Sequence, residues 1–401
     1  MAQEQDQPTP GGMNRRSRRG GPLGETALYF LRLGALGFGG PVALCGQMER
    51  DLVQERGWLT QDEMRDAIAV SQTLPGPLAI QVGIFIGHLR GGFWGAWVGG
   101  AAFILPNFLI VCAIAALYVR LGGLGWMTAV FYGVSPAVIA LILHSCWRLA
   151  KLGMRDALQG VIAAVCCVLT ITLRAEVALL FIAAGLIGVG VYGNLIRRAR
   201  ATLPAIVPVG LGALKAGHLP ILPQLFLFFL KAGSLTFGSG LVIVPFLEKG
   251  VVQQNGWLDG RAFLFAVAVG MLSPGPVVIT ATFVGFLVAG FPGALAATIG
   301  MFLPSFIFVL VVAPLLVRHR QNPNLQGFIK GAYAAAIGTI LGACVLLAKI
   351  AIGDAVTVFI AMAALAALFT TKLANPVIVG AAAVVGLVAF PLLHPNWVYL
   401  K

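Results

Sequence analysis

Carboxylates are scarce in this chain: 14 Asp and Glu among 401 residues, with charged residues of both signs at only 10%. A soluble globular domain carries roughly a quarter charged residues, so the composition excludes a soluble enzyme. Cysteine is sparse as well. Cys45, Cys112, Cys146, Cys166, Cys167 and Cys344 lie in or beside apolar runs and form no C-x-x-C pair. That excludes a secreted disulfide scaffold and a thiolate metal site. The five histidines form no H-x-x-x-H or H-E-x-x-H spacing, so no haem, metal or other cofactor is expected. β-barrel alternation is missing too, which leaves the helix bundle as the closed solution in lipid.

Apolar residues, by contrast, make up 59% of the chain, and 27 Lys and Arg give a formal charge of +13. In a soluble protein that excess would suggest nucleic acid. Here the cations sit between long apolar blocks, so they read as loop charge on a multi-pass membrane protein whose partner is lipid.

Residues 1–25, with Arg15, Arg16, Arg18 and Arg19, are expected to form a disordered basic cytoplasmic tail. Runs free of Asp, Glu, Lys and Arg at 93–119, 121–147, 157–173, 177–196 and 373–400, the run 262–317 that is long enough for two crossings with a turn near Gly290 to Gly293, and glycine-rich blocks near 26–47, 67–89, 224–247, 331–348 and 355–371 predict about twelve crossings. The segment 201–214 is apolar but short, and would add a thirteenth. The expected division is a first membrane repeat over 26–196, a linker over 197–223 and a second repeat over 224–401. The fold class is therefore an all-α, polytopic membrane bundle of about 12–13 spans.

An internal repeat organises it. Shifting the chain by 199 aligns Phe30-Leu31 with Phe229-Leu230, Gly57-Trp58-Leu59 with Gly256-Trp257-Leu258, and Pro75-Gly76-Pro77 with Pro274-Gly275-Pro276. Over 30–77, 18 of 48 positions are identical; after one deletion the offset becomes 198 and pairs Leu105-Pro106 with Leu303-Pro304. Repeat-built membrane proteins are mostly transporters with the site at the repeat interface. Six further crossings in the same sense would place Lys249, Arg261, Arg318, Arg320, Lys330 and Lys372 outside the cell, whereas one extra crossing places them inside. The positive-inside bias thus favours an inverted second half.

The Pro-Gly-Pro motifs should break their helices, since proline removes a donor and glycine adds freedom. Such breaks are tolerated in lipid where freed groups meet protein, water or ligand, and a half-helix N-terminus suits an anion. A packing kink is the structural alternative. Arg32 and Lys231 occupy the same repeat position in otherwise apolar blocks, either flanking an anion path or snorkelling to the interface. The glycine-rich runs that follow them include Gly37, Gly39 and Gly40, then Gly238, Ser239 and Gly240. Polar residues near the breaks are Gln72, Thr73, Gln81, Ser273 and Thr280, with Asn107 and Ser305 aligned after the Leu-Pro pairs. Glu49 and Glu248 read as the only carboxylates matched between the copies, and so as the candidates for proton coupling. Thr60 with Glu63, and Asp259, have N-cap spacing, while Trp58 reads as an interfacial anchor.

The runs GFGGPVAL, MERDLV, GWL and LPGP, and in the second half FGSGLVIVPFLEKGVV and SPGPVVIT, resemble the chromate ion transporter family along nearly all of the chain beyond residue 25. Gly37 to Pro41, Trp58, Leu74 to Pro77, Gly238 to Gly240, Pro245, Trp257 and Ser273 to Pro276 carry the likeness. Cys45, Gln47 and Ser273 depart from the residues expected there. The resemblance implies chromate export across the bacterial inner membrane and chromate resistance, with sulfate or another oxyanion as alternative cargo. Sulfate and protons are the conceivable exchange partners, and some relatives are half-length proteins that work in pairs. A membrane redox enzyme would need haem histidines, a cysteine cluster or a flavin motif. None is readable, so a transporter rather than an enzyme is expected. The oligomeric state, a homodimer included, is left open.

Overall fold

A backbone crossing lipid must satisfy its own hydrogen bonds, and the chain does so with helices. The computed structural model describes residues 23–37, 40–121, 125–173, 177–193, 219–238, 240, 243–313, 322–371, 373 and 375–393. The tail before 23, the linker over 197–218 with its short apolar segment, Gly39 and Ser239 lie outside the described residues. In the first half run α1 (Leu23–Leu36), α2 (Gly40–Glu49), α3 (Gln61–Thr73), α4 (Leu78–Leu121), α5 (Gly125–Gly153), α6 (Ala157–Leu173) and α7 (Val177–Tyr192). In the second run α8 (Ile221–Leu235), α9 (Ile243–Leu247), α10 (Gly260–Leu272), α11 (Thr280–Ile307), α12 (Pro323–Ala351), α13 (Ala355–Thr370) and α14 (Asn375–Leu393). Among the described residues the order of seven is the same in both halves, down to the π-helical segments Arg50–Glu55 and Glu248–Gln254 that prolong α2 and α9. The bundle is all-α among the described residues apart from two residues each of β1 (Gly76–Pro77) and β2 (Phe237–Gly238).

Its outer face is apolar. Leu28, Trp94, Phe359 and Leu392 are each about two-thirds exposed or more, as lipid-facing side chains should be. Among the described residues five helices, α4, α5, α11, α12 and α14, are long and apolar enough to cross a membrane, and five more apolar helices are shorter.

The blocks near 26–47, 67–89 and 224–247 were expected to be single crossings, and here the structure corrects the sequence. The blocks near 26–47 and 224–247 each become two short helices, α1 with α2 and α8 with α9, while the block near 67–89 stops at Thr73 and resumes in α4 at Leu78, because Pro75 to Pro77 interrupt the hydrogen-bond ladder. α3 and α10 have 13 residues each, roughly 20 Å at 1.5 Å per residue, well short of a hydrocarbon layer of about 30 Å.

α4 and α11 fold back on themselves. Gly92 (φ 61°) and Gly290 (φ 62°) adopt left-handed backbone beside Gly91 and Ala289. The arms then close so tightly that a Cβ on Gly87 would strike the Gly95 carbonyl, and one on Gly285 the Gly293 carbonyl. The small-residue spacing of Gly83, Gly87, Gly95 and Gly99 therefore serves helix packing.

The last hairpin of each repeat packs on the other repeat. α12 lies against α6 and α7, and α5 lies against α13 and α14. Gly133 abuts the Ala382 carbonyl and Gly331 abuts the Ala184 carbonyl, the same contact at an offset of 198. Reciprocal contacts of this kind are the signature of a two-fold axis.

Candidate functional site

α3 begins as its sequence predicts. The Glu63 N–H donates to Thr60 Oγ1 at 3.2 Å and the Thr60 N–H to Glu63 Oε2 at 2.8 Å. α10 begins likewise, with the Ala262 N–H donating to Asp259 Oδ1 at 2.7 Å. Both end where a proline follows, at Leu74 (ψ 143°) and Ser273 (ψ 148°), because the residue before proline is pushed out of the helical region. Past them Gly76 (φ 136°) and Gly275 (φ 87°) take up backbone that side chains disfavour.

The two breaks cross over to the opposite repeats. The Gly76 N–H donates to the Thr236 carbonyl, and β1 pairs in parallel with β2, Gly76 beside Phe237 and Pro77 beside Gly238. In return the Gly275 N–H donates to the Gly37 carbonyl at 2.8 Å. Position 37 plus 199 is 236, and 76 plus 199 is 275, so this is one bond made twice. The N–H groups of Gly76 and Gly275 are thus taken by protein, as a buried backbone donor requires. What the breaks leave open is the space between them. Pro41, Leu44, Pro77, Ala79, Gly240, Pro276 and Val277 line a narrow cleft of about 10 Å³, room for roughly one water, at the first turns of the two arms that follow the breaks.

Around the breaks several buried polar atoms have no partner: Asn107 Nδ2 and Oδ1, Ser305 Oγ and Gln81 Oε1. A Cβ placed on Gly275 would lie 3.2 Å from Asn107 Nδ2, and one placed on Gly76 would lie 2.8 Å from Ser305 Oγ. Each repeat therefore sends one polar side chain to the other repeat's break. Gln81 braces its own break, Nε2 donating to the Pro75 carbonyl at 2.6 Å, and its counterpart Thr280 donates to the Val277 carbonyl at 2.9 Å.

A sequence-family model described as "Chromate transporter" matches residues 24–189 and again 223–387. The chain belongs to the chromate transporter family. It is 45% identical over 379 residues to a chromate transport protein of Cupriavidus metallidurans, covering 93% of this chain and 94% of the relative. A probable chromate transport protein of Synechococcus elongatus is 42% identical over 376 residues, covering 91% and 95%. A chromate transport protein of Pseudomonas aeruginosa is 33% identical over 396 residues, covering 92% and 94%. No solved structure matches.

The remaining residues singled out in this chromate transporter family member fall in three groups. Gly37 and Gly240 are buried at the crossing, Gly238 pairs in β2 and Gly40 opens α2, while Ser273 is buried with its hydroxyl 3.4 Å from the Gly270 carbonyl. Gln72 is exposed and does not join the cleft. Arg32 is also exposed, five residues before Gly37 and thus about 7 Å along the helix axis. Lys231 is half-buried, with Nζ 5.9 Å from the Phe246 ring centre.

The matched carboxylates differ in setting. Glu49 accepts from Gln61 Nε2 at 2.5 Å beside solvent. Glu248 is buried and accepts from Gln253 Nε2 on both oxygens at 2.8 Å. A second matched pair, Asp156 and Asp354, appears only at offset 198. Asp156 accepts the Gln159 N–H at 2.9 Å and the Tyr192 hydroxyl at 2.6 Å, and Asp354 the Thr357 N–H at 2.8 Å and the Tyr132 hydroxyl at 2.5 Å. These start α6 and α13 and tie them to their neighbours. The Tyr192 hydroxyl and the Gln159 N–H hold the Asp156 carboxyl below its ordinary range.

Sequence reasoning missed Arg90, a buried cation with no repeat counterpart. Its guanidinium lies 3.8 Å from the Trp58 ring centre and 3.4 Å from Glu25, while Arg56 approaches the same ring at 5.2 Å. Trp58 is thus a platform for cations, a sharper role than an interfacial anchor.

Proposed function

We propose that this chain exports chromate across the bacterial inner membrane and so confers resistance to it. The path passes through the cleft between the two crossed breaks. The carrying observation is the exchange itself: both repeats build one cleft, and each presents a buried, unpaired polar side chain to the other's Pro-Gly-Pro. Here the residues of the two breaks, with Gly37, Gly238, Gly240, Gln81 and Thr280, hold the path open while the dianion passes. The second repeat is inverted, with the amino terminus in the cytoplasm, as the distribution of Lys and Arg favours.

An inside-negative potential of 100 mV is worth about 2.3 kcal/mol per charge, hence about 4.6 for a dianion. That alone drives efflux by about three orders of magnitude. The matched pair Glu49 and Glu248 are the coupling candidates in this reading. In inverted vesicles, radiolabelled chromate should accumulate when the lumen is made positive and fall when the potential is collapsed. Sulfate added outside reads competition, and an imposed pH gradient reads coupling. Uptake no greater than in vesicles lacking the protein overturns the reading.

Arg32 and Lys231 serve in this proposal to concentrate the dianion at the mouth of the path. Arg32→Ala and Lys231→Ala should each raise the KM for chromate by about tenfold, with the maximal rate kept, since one favourable charge contact is worth about 1.4 kcal/mol. An unchanged KM in both would make them interfacial anchors.

A further inference from the structure

Every polar side chain in a dry interior is expected to find a partner, so a matched pair of orphans needs an explanation. Asn107 and Ser305 are both fully buried, and neither the amide nor the hydroxyl has a hydrogen-bond partner. They are 198 residues apart, the offset of the second part of the repeat, and each follows a proline inside a helix, Pro106 in α4 and Pro304 in α11. Each lies against the break of the other repeat, Asn107 beside Gly275 and Ser305 beside Gly76, where a Cβ on the glycine would meet it. Position, burial, contact with the opposite break and lack of partner therefore all recur under the two-fold relation. The residue type does not.

We propose that Asn107 and Ser305 bind the transported tetrahedral oxyanion and set which oxyanion is accepted. The proposal rests on the reading of the crossed breaks as the substrate path. A dianion carries only acceptors, and these side chains supply the donors that the glycine N–H groups, paired across the repeats, no longer can. The Asn107 amide offers two N–H groups that can bridge two oxygens, and the Ser305 hydroxyl offers one. Neutral donors also suit a carrier, because passage requires binding strong enough to enter and weak enough to leave. A lysine or arginine in the same dry place would hold the dianion too firmly for release. The unequal pair gives the site a stronger and a weaker side, so exchanging the residues alters preference without removing donors.

Asn107→Leu and Ser305→Ala, alone and together, are the tests, with Asn107→Ser as the conservative variant. Thermal melting of the purified full chain, with and without chromate, sulfate or molybdate, reads binding apart from transport. Removing an unpaired buried polar group should leave the anion-free protein at least as stable as the parent. The anion affinity should fall about tenfold for each single variant and further for both. Asn107→Ser should keep binding but change the ratio of chromate to sulfate affinity. Wild-type affinity and wild-type ratio in all of these variants would overturn the proposal. So would a lower anion-free melting temperature in both single variants, since the side chains would then be paired within the protein. If oxyanions stabilise the parent and not the variants, but the parent does not move chromate in vesicles, the transport reading fails and the assignment of Asn107 and Ser305 stands for binding alone.

Discussion

Alanine at Gly76 should abolish chromate transport, and alanine at Gly275 should reduce it by about tenfold, in vesicles containing equal amounts of protein. Both glycines have positive φ, 136° and 87°, and an L-residue there is strained by roughly 1–2 kcal/mol. At Gly76 the added methyl also meets Gln81 Nε2 and lies 2.8 Å from Ser305 Oγ, while at Gly275 it meets Asn107 Nδ2 at 3.2 Å. The first contact cannot be relieved without moving the side chain that braces Pro75 or the one presented by the other repeat. Strain plus displacement of about 3 kcal/mol corresponds to a loss of at least a hundredfold. The second contact is tight but can yield. Gly57→Ala separates strain from position: Gly57 also has positive φ (58°) but no atom lies within 4 Å of the new methyl. It should lower the melting temperature slightly and leave transport intact. Full transport by Gly76→Ala would show that the break is only a kink.

Valine at Gly133 or Gly331 should cost more stability than any other single change discussed. Each glycine lies against a backbone carbonyl of the other repeat's last hairpin, Ala382 and Ala184 respectively. A backbone oxygen cannot rotate away as a side chain can, so the helices must part along the whole contact. Overpacking of this kind costs about 1–3 kcal/mol and at times more; here it acts on an interface that joins the two repeats. Melting followed by size-exclusion chromatography in detergent should show a lower transition and early aggregation for each variant. Gly380→Val, in α14 with open space at its Cβ position, is the control and should melt near the parent. Equal melting of the Gly133 and Gly380 variants would contradict the exchanged packing.

What could be read without a structure was whatever the repeat wrote twice. The Pro-Gly-Pro breaks, the N-caps at Thr60 and Asp259, and the turn near Gly290 all carry local signals of chain chemistry, and each is where the sequence placed it. The joining of Gly76 to Thr236 is not local; about 160 residues separate them, and no spacing rule reaches that far. Splitting of the glycine-rich blocks into half-length helices was hidden for a related reason, since hydropathy counts apolar residues and ignores whether a helix stops midway. Asp156 and Asp354 were missed because offset 199 no longer holds beyond the deletion. Arg90 was missed because a search for matched residues cannot find a cation that exists in one copy.

The exchange of hairpins also sets a schedule for synthesis. At about 5–20 residues per second, roughly 10–40 s pass between the emergence of Tyr192 and that of Leu393. Throughout that interval α5 waits in the bilayer without α13 and α14, and α7 without α12. Lipid or a chaperone must occupy those grooves, and the last hairpin to leave the ribosome must displace it. Neither half can finish folding before the other is made.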